Sequence, residues 1–376
     1  MGQRRKRRLQ TPASAVSYDL VIGAGILESL SSWLDLRGFS QVAVLTDTNV
    51  GPLWLEAVER GAGRSLPVWS MRAGEEHKTL VSLEGIWSWM ADIGMDRKSL
   101  LLNLGGGLVG DVGGFAASCY MRGVAFAQLP TTLLAQVDAS VGGKVGINFR
   151  GLKNLLGAFQ QPCAVGMDIR TFATLPRRAF LAGVAEMLKH GLIRDRAYFE
   201  EIAAYEFGAL GAKEGEALGE LGDVAEQTWV DWIDRSCAIK AAIVEADERE
   251  SGLRKLLNFG HTVGHALETL SYTADAPLLH GEAVGLGMIV EAEIASIAGF
   301  LDEGVVDTLV GTLERVGLPT RLGFLLDDGT LWSAMRADKK NVRGAVRWTL
   351  LRSMGEGVFD QRVEDAVVEA ALQRIR

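Results

Sequence analysis

Positive charge is scarce in this chain. Against 47 Asp and Glu stand 39 Lys and Arg in 376 residues, a net charge of -8. General affinity for nucleic acid needs many cationic side chains displacing counterions from phosphates, so no nucleic-acid partner is expected. Cysteine is nearly absent too: Cys119, Cys163 and Cys237 are far apart, odd in number and free of any CxxC. That excludes a disulfide framework and a zinc knuckle and points to a reducing, cytoplasmic location. No apolar run is long enough to span a bilayer, so no membrane partner is expected, and no low-complexity tract or internal repeat is present. One region runs against the overall charge. Arg4, Arg5, Lys6, Arg7 and Arg8 form a basic run with no apolar segment after it to make a signal peptide. Residues 1–15 are expected to be a disordered basic tail, with a weak electrostatic contact as the alternative.

What the chain has in excess is glycine, 45 residues gathered in short clusters. Its length exceeds what one hydrophobic core usually serves, so two domains are expected. From Tyr18 to Asp168 short β-rich runs alternate with helical stretches, the pattern of an α/β Rossmann-like domain with a parallel sheet, over 16–175. Candidate strands are Tyr18 to Ile22, Gln41 to Thr46, Leu66 to Ser70, Ser99 to Leu104 and Val124 to Leu129. Ligands bind at the carboxyl ends of such strands. Beyond Pro176 apolar residues recur at helical spacing, as in Ala179 to Leu192 and Val230 to Ala246. A mostly helical second domain is therefore expected over 176–376, with a late hairpin or edge element at Val346 to Leu351.

Gly105-Gly106-Gly107-Leu108-Val109-Gly110-Asp111 satisfies G-x-G-x-x-G between an apolar strand and a helical stretch. Glycines there let backbone approach a pyrophosphate at a helix N-terminus. The fingerprint is unusual in following the fourth candidate strand and in lacking an acid about twenty positions on. Asp47 and Asn49 could supply the ribose partner if their strand lies beside this one. A tight strand-to-helix turn is the plainer alternative. Next come Pro130-Thr131-Thr132, Asp138-Ala139-Ser140-Val141-Gly142-Gly143-Lys144 and Lys153-Asn154, a set suited to gripping a polar anion, or else a surface lysine after a turn.

Four of the five histidines lie in the helical half. His261 and His265 are four apart and share a helix face, His280 follows in His280-Gly281-Glu282, and an upstream helix carries Glu186, Lys189 and His190 on one face. Two histidines and a carboxylate make up a catalytic metal site with an open position, whereas a lone histidine is usually structural. Spacing alone leaves open which three groups ligate. Lys240, Arg254 and the Lys339-Lys340 pair in Asp338-Lys339-Lys340-Asn341 add local positive charge that can focus an anion into a cleft, or are solvated surface groups.

In order, these motifs resemble the 3-dehydroquinate synthases of the sugar phosphate cyclase superfamily. The resemblance runs from Asp47 to Leu351 and is carried by GGGLVGDVGGFAASCYMRG (105 to 123), PTTLLAQVDASVGGKVGIN (130 to 148), LKNLLGAFQQP (152 to 162), AGVAEMLKHG (182 to 191), LRKLLNFGHTVGHALE (253 to 268) and HGEAVGLGM (280 to 288). It implies a dehydroquinate synthase-like fold whose helical domain binds the metal. It further implies NAD and one divalent metal, zinc or cobalt, held by Glu186, His261 and His280, with His265 a polar group near the substrate phosphate. Substrate-contacting positions would be Asp138, Lys144, Asn154, Lys189, Lys240, Glu250, Arg254, Asn258, His265 and Lys340. Arg122 would reach into the partner subunit's site, implying a homodimer. Nicotinamide-side positions would be Asp47, Asn49, Glu75, Lys78, Gly106, Gly107, Asp111, Thr131, Thr132 and Lys153. Val145 and Leu152 depart from the threonine and glycine usual at their positions, leaving the charged groups intact.

The implied reaction is the second step of the shikimate pathway, toward chorismate and the aromatic amino acids. It converts 3-deoxy-D-arabino-heptulosonate 7-phosphate into 3-dehydroquinate and phosphate by transient oxidation, phosphate elimination, reduction and intramolecular aldol closure. The substrate's own phosphate takes the C6 proton, so no side chain is assigned as base for that step. The alternative is another sugar phosphate cyclase acting on sedoheptulose 7-phosphate. Arg254, Lys240, Asn258 and His265 together favour the carboxylate-bearing substrate. A metal-dependent alcohol dehydrogenase would not need so many phosphate donors, and a catalytically silent scaffold would show eroded site charges.

Overall fold

The computed structural model describes residues 4–11, 16–207, 216–219, 223–272, 274, 276–337 and 346–376. Two runs, VAVLTD and LLLNLG, are buried at every position, as strands covered on both faces must be. They form β3 (Val42–Asp47) and β5 (Leu100–Gly105) in a unit that also holds β1 (Arg5–Thr11), β2 (Val16–Gly23), β4 (Val68–Met71), β6 (Ala125–Pro130) and β9 (Ala164–Asp168). Helices α1 (Gly51–Ala62), α2 (Leu80–Asp92) and α3 (Gly107–Cys119) connect the strands, and β7 (Lys144–Phe149) pairs with β8 (Leu152–Phe159) as a separate hairpin.

The sheet runs β1-β2-β9-β6-β5-β3-β4, parallel throughout except for β1. Alternation along each strand feeds two cores. Val42, Val44, Leu100 and Leu102 pack with Ala57 and Val58 of α1, while Ala43, Leu45 and Leu101 pack with Val109 and Val112 of α3. All five strands expected from the sequence are present. Because β3 and β5 are direct neighbours, with Leu45 opposite Asn103, the end of β3 that carries Asp47 lies beside the glycine loop.

The expectation of a disordered basic tail is corrected. Residues 5–11 form the edge strand β1, paired antiparallel with β2 from Arg5 opposite Ile22 to Thr11 opposite Val16. Its inward positions Leu9 and Thr11 are buried at 0% and 1% exposure. The charges are met by acids, two of them far away in sequence. Arg7 grips Asp234 through two bonds of 3.0 and 2.8 Å, Arg5 grips Asp231, and Lys6 and Arg8 share Asp19. A run judged by composition alone looks solvated, and only the tertiary partners make it a strand.

The rest of the chain is mainly helical: α4 (Arg177–Arg194), α5 (Arg196–Ala203), α6 (Asp223–Ala246), α7 (His261–Ser271), α8 (His280–Ile297), α9 (Glu303–Val316), α10 (Asp328–Ala337) and α11 (Asp365–Leu372). The hairpin of β10 (Trp348–Ser353) and β11 (Glu356–Gln361) follows α10, where a late β element was expected. Two compact units result. The first comprises Met1–Pro176 and Glu216–Ala241, the second Arg177–Gly215 and Ala242–Arg376. The single division expected after 175 thus becomes a discontinuous one, because most of α6 packs with the sheet. None of the described helices is long and apolar enough to cross a membrane.

Arg7 and Asp234 are partly buried, at 34% and 21% side-chain exposure. Arg7→Ala and Asp234→Ala should each destabilise the fold, and the double variant should fall short of their sum by about 0.5 to 1 kcal/mol. Denaturant unfolding of the four proteins measures this coupling. Strict additivity would mean the pair contributes nothing.

Candidate metal centre and cofactor cradle

Fourteen consecutive residues of α4, Phe180 to Ile193, are buried, so this helix has no solvent face. Such a helix is expected to be apolar, yet it carries Glu186, Lys189 and His190 at 0%, 1% and 0% exposure. Glu186 uses its two oxygens differently. Oε2 meets the ammonium of Lys189 one turn on, while Oε1 lies 3.5 Å from Nε2 of both His261 and His280. The donor atoms of these three residues lie within 4.8 Å of one another. His261 and His280 are the first residues of α7 and α8. Close approach of the helices depends on glycine: a Cβ at Gly281 would lie 1.9 Å from the carbonyl oxygen of Ala182 in α4, and one at Gly287 would lie 1.9 Å from that of Gly260 before α7. The HGEAVGLGM run therefore brings α8 onto both partners. His265 packs against both histidines, with ring centroids 5.1 and 5.8 Å away, but its donor atoms are not part of the three-residue cluster.

The segment leading into α7 is organised by Asp247, which the sequence reading missed. Its carboxylate accepts backbone N–H bonds from Ser251 (2.9 Å), Gly252 (2.7 Å) and Arg254 (3.0 Å). Burial opposes its charge, but these bonds prevail and hold its pKa down at about 2. Within the loop Glu250 adopts φ 60, and its carboxylate accepts from Asn258 Nδ2 at 2.7 Å. Arg254, 2% exposed, donates to the carbonyl of Glu248. An acid ahead of a Ser-Gly pair was the available sign of such a turn.

In the first unit, α3 starts at Gly106 with no side-chain cap, leaving its first N–H groups for another acceptor at the end of β5. Side chains could not be accommodated: a Cβ at Gly105 would meet Val109 Cγ2 at 2.6 Å, and one at Gly106 would press on Thr132 Cγ2 at 3.2 Å. Thr131 donates its N–H to the Gly105 carbonyl, while its hydroxyl is buried and has no hydrogen-bond partner among the described residues. Asp47 makes the turn into α1, accepting the N–H groups of Asn49 and Val50 at 2.8 and 2.9 Å. Asn49 itself is exposed.

Four of the remaining positions form one network together with Asn148. Lys78 Nζ donates to Asp111 at 2.6 Å and lies 3.9 Å from Glu75, Glu75 accepts from Asn148 Nδ2 at 2.9 Å, and Asn148 accepts the N–H of Asn154 at 2.9 Å. Desolvation works against the Lys78 charge, but Asp111 and Glu75 raise its pKa, so it stays an ammonium. Asn148 was missed, being indistinguishable in sequence from a turn asparagine. Asp138 lies on a π-helical turn, Ala135–Ala139, closed by Ser140 N–H to the Ala135 carbonyl. Lys240 Nζ holds both its carbonyl and Oδ1 at 2.5 Å. Lys144 is exposed at the start of β7, and Lys153 is half-buried on β8. Arg122 is exposed, at φ 67. Lys340 lies outside the described residues.

Burial alone would lower the pKa of His280, but hydrogen bonds to Glu186 and Glu268 and their charges raise it from 6.5 to about 10. A raised pKa adds stability to the metal-free protein below about pH 6.5 that is lost as pH climbs through about 10. A divalent ion bound through Nε2 at pH 7 would displace that proton. Titrating zinc into metal-free protein in weak buffer with a pH indicator should therefore show proton release from this site. His280→Ala should remove that contribution, and equal release by both proteins would refute the assignment.

Comparison with known proteins joins the two units to one family. Residues 68–182 match the model for the 3-dehydroquinate synthase N-terminal region, and residues 183–341 that for the C-terminal region. A 3-dehydroquinate synthase of Pelobacter propionicus is 42% identical over 346 residues, covering 91% of this chain and 92% of that protein. Among solved structures, a 2-deoxy-scyllo-inosose synthase with carbaglucose-6-phosphate, NAD+ and Co2+ superposes with a TM-score of 0.84 at 24% identity, covering 99% of this chain and all (100%) of that one. The 2-epi-5-epi-valiolone synthase of Streptomyces hygroscopicus subsp. jinggangensis, with NAD+ and Zn2+, gives 0.82 at 26% identity over 96% of this chain and 97% of that one. Both halves of the chain match this family's models and a relative 42% identical over nearly its whole length, and the chain belongs to the 3-dehydroquinate synthase family.

Proposed function

We infer that this chain is a 3-dehydroquinate synthase, a phosphate-eliminating lyase acting on 3-deoxy-D-arabino-heptulosonate 7-phosphate in the shikimate pathway. The observation that carries the reading is the convergence of one carboxylate and two imidazole Nε2 atoms inside a buried helical unit of this family. The donor set fits zinc or cobalt, which take mixed nitrogen and oxygen ligands and leave a position open for substrate. The glycine-lined start of α3 and the buried Thr131 hydroxyl, without a hydrogen-bond partner among the described residues, fit a dinucleotide. When bound, the nicotinamide supplies reversible oxidation and the divalent ion supplies a Lewis acid for the substrate's oxygens.

The chain's own residues bind and orient. Lys189 restrains one oxygen of Glu186, leaving the other turned toward the histidines. Lys240 fixes Asp138 as a ready acceptor for substrate hydroxyls. Lys144, Asn154, His265 and a lysine of the Lys339-Lys340 pair supply the donors that a phosphate near charge -2 requires once water is excluded. Arg254, Asn258 and Glu250 are held together by the Asp247 loop, which supports a role in gripping the other end of the substrate. Glu75, Lys78, Asp111 and Lys153 would serve the nicotinamide. Placement of reacting groups accounts for most of the rate, since the elimination uses the substrate's own phosphate as base.

A homodimer is part of this reading. Met121 and Arg122 are consecutive non-glycine residues in the left-handed region, at φ 50 and φ 67, a conformation kept where an interaction requires it. Met121, Leu152 and Phe159 are 45%, 50% and 48% exposed, apolar surface that a second copy would cover. The free cysteines support a reducing, cytoplasmic setting.

Purified protein with NAD and zinc should release phosphate from the heptulosonate phosphate and not from sedoheptulose 7-phosphate. Release from the second alone would make the chain a different cyclase. Lys144→Ala should lower kcat/KM by about 30- to 900-fold, about 2 to 4 kcal/mol of transition-state stabilisation. Wild-type kinetics in that variant would remove Lys144 from the site.

A further inference from the structure

We propose that Glu268 of α7 and Glu291 of α8 are positioning residues that lock the two metal-binding histidines reciprocally, each helix holding the histidine of the other. The inference rests on reading Glu186, His261 and His280 as the metal centre.

Both histidines stand at helix N-termini, where backbone N–H groups lack intrahelical partners and the first turn frays. At α7 the capping position is Gly260, with φ 80, and a Cβ there would lie 2.5 Å from Met288 Cγ and 2.8 Å from the Val284 carbonyl. No capping side chain can be accommodated at that position. The cap comes instead from α8: Glu291, 0% exposed, accepts N–H bonds from Gly260 (2.7 Å), Thr262 (3.0 Å) and Val263 (3.4 Å). These donors flank His261 on both sides and tie down the backbone from which its ring extends. A carboxylate suits that place, because the N-terminal end of a helix favours negative charge.

At α8 the ring itself is held. His280 Nδ1 lies 3.2 Å from Oε2 of Glu268, a carboxylate only 6% exposed. The bond keeps a proton on Nδ1, on the Glu268 side, so that once the Nε2 proton is displaced the Nε2 lone pair faces Glu186. His261 reaches the same tautomer through the Phe259 carbonyl, 3.2 Å from its Nδ1. Both rings then offer Nε2 at 3.5 Å from the same Glu186 oxygen. A carboxylate partner also makes imidazole a stronger donor than a carbonyl does. Glu268 follows Ala266 and Leu267, and Glu291 follows Met288, Ile289 and Val290, all buried, so a charge with only a packing role is costly at either place.

The test measures metal affinity by chelator competition, and the visible spectrum of the cobalt-loaded protein, for wild type, Glu268→Gln, Glu268→Ala and Glu291→Gln. Thermal unfolding of each metal-free protein checks folding. Glu268→Gln keeps an acceptor of the same shape and should weaken binding by about 10-fold, and Glu268→Ala by up to about 100-fold. The cobalt bands should shift as the His280 ring loosens. Glu291→Gln should weaken binding while changing the spectrum through His261. Wild-type affinity and spectrum in both Glu268 variants and in Glu291→Gln would overturn the inference while leaving the metal centre standing. A wild-type protein that takes up no ion, or takes up the same ion after His261→Ala, would overturn both.

Discussion

Glu186 is an acid at 0% exposure on a helix with no solvent face, and the second unit is arranged around that constraint. Ionised and alone it would be prohibitively costly, so it is either protonated or surrounded by positive charge. The neighbours decide between these: an ammonium one turn away and two imidazole nitrogens on the opposite side. Bringing the imidazoles in requires the first turns of α7 and α8 to approach α4 and each other more closely than side chains permit. The glycines at 260, 281 and 287 supply that closeness. Packing and electrostatics are thus one requirement here, since any residue larger than glycine at these points would separate the charges that make Glu186 tolerable.

In the first unit the constraint is different. A parallel sheet buried on both faces delivers β3, β5 and β6 side by side, and chemistry is confined to their carboxyl ends. The segments leaving those ends are backbone-controlled: an uncapped helix start at Gly106, an Asp47 turn and a π-helical turn under Asp138. Six described non-glycine residues have positive φ, and three of them, Arg122, Asn154 and Glu250, are expected site residues. Asn154 is held by Asn148, and Glu250 lies in the loop tied by Asp247. Local strain of this kind persists where surrounding hydrogen bonds over-determine the backbone.

These differences explain what could be read in advance. The five strands from β2 to β6 and the two halves were legible because they depend on local runs and periodicity. Metal ligands were narrowed by histidine spacing, but their choice needed family resemblance, since His265 and His190 have the same chemistry in sequence as His261 and His280. The strand β1 was misread because its character depends on Asp231 and Asp234, more than two hundred residues away. The β7–β8 hairpin and β9 escaped for another reason: glycine-rich or short apolar segments carry little periodic signal. Asn148 and Asp247 act through backbone N–H groups, a role that polar residues in loops take without any distinguishing spacing.

The charges around the centre favour a cation. The buried ionisable groups set in balance around the centre include the acids Glu186, Glu268 and Glu291 and the base Lys189. Glu282, also buried, is paired with Arg178 through two bonds of 2.6 Å and stands outside this balance. In the metal-free protein burial works against the His280 proton, but hydrogen bonds to Glu186 and Glu268 and their charges hold it far above its usual range. Proton and metal ion therefore compete for the same place in the same electrostatic field. The buried acids favour a cation at this place, and the histidine pair selects for nitrogen-seeking metals.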